Sequence, residues 1–442
     1  MRIYALVDCN SFFASCEKVF RPDWAEKPVV VLSNNDGCVI ARSAEAKPLV
    51  AMGTPWFRVK KTAEREGVVV RSTNFVLYGD MSRRVMETLG QWTPDVEVYS
   101  IDEAFLDLSQ QYQLRIEEGK SIGRSLAALG RQIVETVPQW TGIPVSVGFG
   151  PTKTLAKLAN RIAKERPDRL FGVMNRKIRE RTLKSFPIDK IWGVGRKLLP
   201  QFERLGLKTA WDLSRIDPLV VRREFSIVQE RLVRELNGEA CYGEDDPERK
   251  NIQVSRSFGT MLTDPVDLEK AVATFAARGA RRLRRLERAA SAVCVSLRTN
   301  PFRPDMPQYS PSGVVGFYRP TADTVEILKG VLSAFRSIYK PRYAYKKGGV
   351  TLMNLVPAEV AAAQQYLFDE EPDSDSPLRS DSTSRRRRMD LYRTVDHIND
   401  SSVSGEIFFA AEGTDRPWAS SSEYASPCWT TDLDRVPVVR AD

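Results

Sequence analysis

The chain has 442 residues, 42% of them hydrophobic and 28% charged, enough to bury several cores and to fold as roughly two to four domains. Its one histidine, His397, excludes chemistry that needs a histidine pair, and its six cysteines show no C-x-x-C spacing, so zinc and dithiol chemistry are not expected and reduced, cytoplasmic thiols are. The net charge is +9, and neither a signal-peptide apolar region nor a run of roughly 18 apolar residues occurs, which argues against secretion and against a membrane span.

Residues 2–9 (RIYALVDC) read as a buried strand with Asp8 at its exit. Between 14 and 77, short apolar runs alternate with turn signals such as SNNDG at 33–37, the pattern of a small inserted α/β subdomain. Residues 96–108 (VEVYSIDEAFLDL) predict a tight hairpin with Asp102 and Glu103 at its tip. A helix through Ile122, Leu126, Leu129, Ile133 and Val137 is followed by a strand at 145–149. Next comes a helix over 152–164 with an apolar stripe of Leu155, Leu158, Ala159 and Ile162. Residues 186–240 read as all-helical, and 252–356 as a strand, helix, two strands, helix, strand domain of the α+β class.

Positive charge is clustered on two of these helices. Lys153, Lys157, Arg161 and Lys164 recur at about one helical turn, and Arg278, Arg281, Arg282, Arg284, Arg285 and Arg288 crowd another helix. Such clusters favour a polyanion such as nucleic acid, with a solvated charged face as the alternative. Beyond about 358 an acidic patch, serines and a row of arginines at 385–388 predict a flexible tail or linker. His397 has no evident acid-base partner and reads as structural or exposed.

Asp8 at a strand exit and Asp102 with Glu103 at a hairpin tip form the strongest chemical constellation. Carboxylates brought together in this way need a cation, and hard oxygen donors suit Mg²⁺ ions in a two-metal phosphoryl-transfer site. Taken singly, each acid reads more readily as a turn or surface residue than as a metal ligand.

Four segments then act jointly: DCNSFFASCE from Asp8, SNNDGCVIARSAEAK from Ser33, SIDEAFLDL from Ser100 and GPTKTLAKLAN from Gly150. Together they resemble the Y-family translesion DNA polymerases, most closely the UmuC-type branch, over nearly the whole chain and in the family's order. The resemblance implies a multidomain α+β right hand. Its palm covers 1–13 and 78–172, its fingers 14–77 and its helical thumb 173–240; a linker over 241–251 leads to a little finger over 252–356 and a C-terminal clamp- and partner-binding tail over 357–442. It implies an error-prone, SOS-response DNA polymerase subunit acting on primer-template DNA and deoxynucleoside triphosphates with two Mg²⁺ ions. Asp8, Asp102 and Glu103 would be catalytic and metal-binding, together with the backbone carbonyl of Cys9. Phe13 would be the steric gate against ribose, Lys47 and Lys153 would bind the triphosphate, and Ile40 and Ala41 would lie over the nascent base pair. Lys157 reads equally as a solvated lysine.

In the same terms Gly193 and Gly195 belong to a thumb helix-hairpin-helix gripping DNA phosphates, and Arg281 and Arg285 track the duplex from the little finger. Gln364, Leu367 and Phe368 of QQYLF form a sliding-clamp peptide. The partners implied are a cleaved UmuD-type homodimer, RecA and the sliding clamp, with no membrane. Two other readings use the same residues: a non-catalytic DNA- and clamp-binding adaptor, which the three intact acids disfavour, and a carboxylate nuclease, which leaves Phe13 and the lysines without a task.

Overall fold

The computed structural model describes residues 2–117, 122–243, 250–363, 382–401, 407–432, 434 and 436. They form two compact units, one of residues 1–246 with 422–442 and one of 247–421. Among the described residues no helix is long and apolar enough to cross a membrane.

The first unit begins with β1 (Tyr4–Cys9) and α1 (Phe12–Val19), followed by β2 (Val29–Leu32), β3 (Val39–Arg42), α2 (Trp56–Arg65) and β4 (Val69–Ser72). Next come α3 (Phe75–Leu89), β5 (Val96–Val98), β6 (Glu103–Asp107), α4 (Ser109–Glu117), α5 (Gly123–Thr141), β7 (Val145–Gly150), α6 (Lys153–Ala163) and β8 (Leu170–Gly172). Two sheets result: five strands in the order β5-β6-β1-β7-β8, and a small sheet β3-β2-β4. Five further helices complete the unit: α7 (Arg176–Ser185), α8 (Leu199–Arg204), α9 (Ala210–Ser214), α10 (Pro218–Glu224) and α11 (Ile227–Leu236).

Every residue of β1 is buried, because helices cover both faces of the large sheet. Ala5, Val7 and Cys9 point into a core shared with α1, α3 and α5, whereas Tyr4 and Leu6 meet Phe105 and Ala156 on the other face. The alternation places Asp8 on that second face, where α6 packs. Two glycines let α6 come close. A Cβ on Gly148 would lie 2.1 Å from the Asn160 backbone nitrogen, and one on Gly150 would lie 2.5 Å from that of Ala156. The Asn160 side-chain amide then donates to the carbonyls of Leu6 (3.1 Å) and Ser146 (2.7 Å). These bonds lock the helix across β1 and β7.

The second unit is a four-stranded antiparallel sheet in the order β11-β10-β12-β9, with two helices on one face. Its elements are β9 (Asn251–Leu262), α12 (Pro265–Arg285), β10 (Arg288–Thr299), β11 (Ser312–Thr321), α13 (Thr324–Ile338) and β12 (Tyr345–Pro357). Asp264 and Asp323 cap α12 and α13 by accepting from first-turn N–H groups.

The flexible-tail expectation fails for much of the C-terminal region. After α14 (Ala358–Ala363), α15 (Ser382–Ser401) is a 20-residue helix docked on the second unit. Arg284 of α12 grips Asp396 through two nitrogens (2.7 and 2.8 Å) and Arg388 reaches Asp323 (2.7 Å). Tyr392 is buried and donates to Asp323 (3.0 Å). The serines and arginines of this stretch suggested solvation, but its acids and its tyrosine answer buried charges on α12 and α13. His397 is exposed.

Candidate active site

The strand register builds the centre of the site. β1 and β6 run antiparallel with Asp8 directly opposite Glu103, and the Cys9 N–H donates to the Asp102 carbonyl (2.8 Å). The hairpin of β5 and β6 thus brings its tip alongside the end of β1. Asp8 is 4% exposed and shares a hydrogen bond with Glu103. Asp102 stands apart by side chain: its Oδ1 accepts from Ser100 Oγ at 2.5 Å. Among the described residues, no three acidic, histidine or cysteine groups converge closely enough as they stand to hold a metal ion.

Two lysines of α6 face the carboxylates. Lys164 Nζ is 2.7 Å from Asp8 Oδ2, and Lys157 Nζ is 2.7 Å from Glu103 Oε2. The rings of Tyr99 (4.2 Å) and Trp192 (5.1 Å) flank the Lys157 ammonium and aim it. Burial, reinforced by the neighbouring Glu103, pushes Asp8 well above the usual carboxylate range despite the pull of Lys164. Burial also raises Glu103, but the hydrogen bond from Asp8 and the attraction of Lys157 outweigh it, so Glu103 ends below its ordinary value. The two hydrogen-bonded carboxyls thus shift in opposite directions, as close like charges do.

Lys153, expected on the triphosphate, is placed elsewhere. Its side chain is 5% exposed and its ammonium pairs with Glu97 and donates to the Gly243 carbonyl (2.8 Å). It sits at the first residue of α6, beside Tyr4 and Phe105. Eleven residues of helix, about 16 Å at 1.5 Å per residue, separate it from Lys164. Its ammonium is held by partners inside the fold and not directed at the carboxylates, so it would meet a triphosphate only on exchange of these partners. The helical spacing 153, 157, 164 puts all three lysines on one face, a signal present in the sequence, but only contact with the sheet separates the buried one from the two at the acids.

Phe13 lies half-buried in α1, immediately after Ser11, which takes a left-handed conformation (φ 51°) at the helix start. Its ring stacks on Tyr78 (4.6 Å, 16°) and meets Phe75 edge-on (6.0 Å, 88°). The Tyr78 hydroxyl donates to the buried Glu17 (2.7 Å). Neither Tyr78 nor Glu17 stands out in the sequence, since helix faces carry such residues routinely.

The sequence matches two models of the impB/mucB/samB family, one over residues 7–161 and its C-terminal domain over 249–367. A third match, over 389–439, is to a domain of unknown function. The chain is 41% identical to protein UmuC of Salmonella typhimurium over 98% of its own length and 100% of that protein. It is 40% identical to protein ImpB of Salmonella typhimurium, covering 99% and 100% of the two chains. The chain belongs to the impB/mucB/samB family. A DNA polymerase IV of Caulobacter vibrioides is 29% identical over 83% of this chain and 87% of that one.

Among solved structures, a Y-family DNA polymerase chimera built on Dbh superposes with a TM-score of 0.63 at 22% identity, over 80% of this chain and 99% of that one. An insertion ternary complex of Dbh DNA polymerase gives 0.52 at 22% identity with the same coverage. The fold is therefore that of the Y-family polymerases, with α+β units and a helical subdomain.

The outer candidate residues of this family member divide by position. On β3 successive side chains point to opposite faces. Ala41 is buried in the core with Val29 and Val31, whereas Ile40 is partly exposed. Lys47 is exposed in the turn after β3. Gly193 takes φ +92° in the turn before α8, a conformation that favours glycine, while a Cβ on Gly195 would meet only open space. Arg281 and Arg285 both ion-pair with Asp400 of α15, which sequence reading, treating the tail as unpacked, did not anticipate. Gln364, Leu367 and Phe368 lie outside the described residues.

Proposed function

We infer that this chain is the catalytic subunit of an error-prone translesion DNA polymerase, carrying out template-directed nucleotidyl transfer past damaged DNA in the SOS response. It is a DNA-directed DNA polymerase of the UmuC type, and it binds DNA and deoxynucleoside triphosphates. The observation that carries the mechanism is the register pairing of Asp8 with Glu103 beside the backbone tie between Cys9 and Asp102.

The donor set fits a pair of Mg²⁺ ions. It consists of hard oxygens, with Asp8 and Glu103 opposite each other across β1 and β6 and the Asp102 backbone tied to Cys9. Asp8, Asp102, Glu103 and the Cys9 carbonyl would hold them, Asp102 by turning its side chain from Ser100. When bound, the ions would activate the primer 3′-hydroxyl and neutralise charge as its oxygen attacks the α-phosphate and pyrophosphate leaves.

The protein's own groups supply the rest. Lys164, 41% exposed at the end of α6, swings from Asp8 to the phosphates, and exposed Lys47 meets the leaving pyrophosphate, both as charge-assisted donors. Phe13 presents its ring to the sugar and excludes a 2′-hydroxyl by shape. Ile40 lies over the nascent base pair, where limited shape selection yields low fidelity. The turn at Gly193 and Gly195 contacts duplex phosphate through backbone N–H groups. Arg281 and Arg285 reach DNA on exchange of their Asp400 partner. Gln364, Leu367 and Phe368 dock into the sliding clamp, and a cleaved UmuD-type homodimer and RecA complete the active assembly.

The test is Mg²⁺-dependent primer extension on undamaged and abasic templates by the chain reconstituted with its UmuD-type partner and activated RecA, beside an Asp102→Ala preparation. Extension by the intact chain alone supports the assignment. Equal behaviour of the two preparations, with partners bound, transfers the assignment to a non-catalytic adaptor.

A further inference from the structure

The C-terminal segment 422–432 belongs to the first unit and lies across its small sheet, the end of α1 and the start of α3. At one end the Tyr424 N–H donates to Ser72 Oγ (3.0 Å) and the Ser72 N–H to the Tyr424 carbonyl (3.1 Å), beside the edge strand β4. The Glu423 N–H donates to Asp36 (2.8 Å), and the Tyr424 ring stands edge-on to Trp56 (5.9 Å, 82°). At the other end Trp429 stacks on Phe20 just beyond α1 (6.0 Å, 18°).

Between these anchors the segment touches the supports of Phe13. The Asn74 side chain caps α3, accepting from the Leu77 N–H (3.2 Å), and donates to Ser426 O and Oγ (3.1 Å each) and to the Pro427 carbonyl (3.2 Å). Ser426 Oγ donates to Glu17 Oε1 (3.0 Å), the same oxygen that accepts from the Tyr78 hydroxyl. Glu17 is 1% exposed, and its other oxygen has no hydrogen-bond partner among the described residues. A buried carboxylate with one satisfied oxygen depends heavily on the donors it has. The connection thus runs Ser426, Glu17, Tyr78, Phe13, and it joins the two helices whose aromatic residues surround Phe13.

We propose that segment 422–432 is an intramolecular strap that positions the sugar-selecting Phe13, so that discrimination between deoxyribo- and ribonucleotides depends on the chain's own C-terminus. The strap lies inside the stretch matching a domain of unknown function and gives part of it a task. Ser426, Glu17 and Tyr78 are positioning residues in this scheme and act through Phe13. The proposal rests on the reading of Phe13 as the steric gate, which the test isolates.

The experiment measures the ratio of kcat/KM for dATP over ATP opposite a template thymine, using the full chain with its partners. Variants are Phe13→Ala, Tyr78→Phe, Ser426→Ala and Ser426→Thr, together with a chain ending at 421. We expect Phe13→Ala to abolish the discrimination. Tyr78→Phe and Ser426→Ala should each lower it about five-fold, the effect of losing one hydrogen bond, and the shortened chain should lower it further. Ser426→Thr keeps the hydroxyl and should retain the ratio, while selection of the correct base over a wrong deoxynucleotide is unchanged throughout. A retained ratio in Phe13→Ala overturns the gate reading itself. A lost ratio there, with wild-type ratios in Tyr78→Phe and Ser426→Ala, overturns the strap alone. A fall in base selection parallel to sugar selection also overturns it, because general loosening of the fold then suffices.

Discussion

Replacing Lys153 and Lys164 separately by methionine distinguishes a buried lysine at the start of α6 from the one proposed to meet phosphate at its C-terminal end. Lys153→Met keeps the stem that packs near Tyr4 and Phe105 but removes the charge that answers Glu97 and the donor to Gly243. Breaking a fully buried pair costs roughly 3–5 kcal/mol. The Glu97 side chain is 33% exposed and can be rehydrated, and the lysine's own desolvation cost disappears with it, so a net loss of about 1–3 kcal/mol is expected. Lys164, at 41% exposure, contributes about 1 kcal/mol or less to folding through its pair with Asp8. Its loss removes a charge-assisted contact to phosphate worth about 1.5–3 kcal/mol, roughly ten- to a hundred-fold in kcat/KM. Urea denaturation followed by tryptophan fluorescence and single-nucleotide incorporation kinetics read the two effects separately. Lys153→Met should lower the urea midpoint and leave the KM for deoxynucleotide near wild type; Lys164→Met should do the reverse. A Lys153→Met chain of normal stability with a ten-fold higher KM would refute the reasoning and return Lys153 to the triphosphate.

Three further outcomes follow from the packing. Gly148→Ala sets a Cβ against the backbone of Asn160 and should destabilise the first unit by about 3 kcal/mol or more, seen as a lower thermal midpoint; wild-type stability would show that α6 does not approach the sheet so closely. Asp396→Ala leaves Arg284, whose side chain is 8% exposed, without its carboxylate, and should cost about 2–4 kcal/mol of docking; amide hydrogen exchange of α15 faster by about 30- to 1,000-fold is expected, and unchanged exchange would contradict it. The third concerns acid. Burial raises Asp323, but the hydrogen bonds from Arg388, the Glu326 N–H and Tyr392 outweigh it and hold the carboxyl below its ordinary value. Its stabilisation is therefore fully present above about pH 4, the unfolded value, and is lost as pH falls through the lower folded value. Exchange protection of α15 should drop in that acid range, and Asp323→Asn, which still caps α13, should lose most of that dependence.

How legible the molecule is from its sequence depends on the range over which each feature is determined. The strand at Tyr4–Cys9, the hairpin carrying Glu103 and the amphipathic α6 follow from local periodicity, and the resemblance of four motifs ties Asp8, Asp102 and Glu103 to one site. What periodicity does not contain is which of several residues on one helix face meets which residue of the sheet. Lys153, Lys157 and Lys164 are equivalent on a helical wheel, and only the close approach at Gly148 and Gly150, with Asn160 bonded to Leu6 and Ser146, sets the slide of α6 along β1. The same limit hides the role of the C-terminal region. Composition at 382–401 reads as solvated because its arginines and serines dominate, yet helix formation aligns Arg388, Tyr392 and Asp396 at successive four-residue steps, on one face. That face is complementary to Asp323 on one side and to Arg284 on the other. A polar segment with a regular stripe of opposite charges is therefore a docking element where it meets a buried acid and a buried arginine of opposite sign.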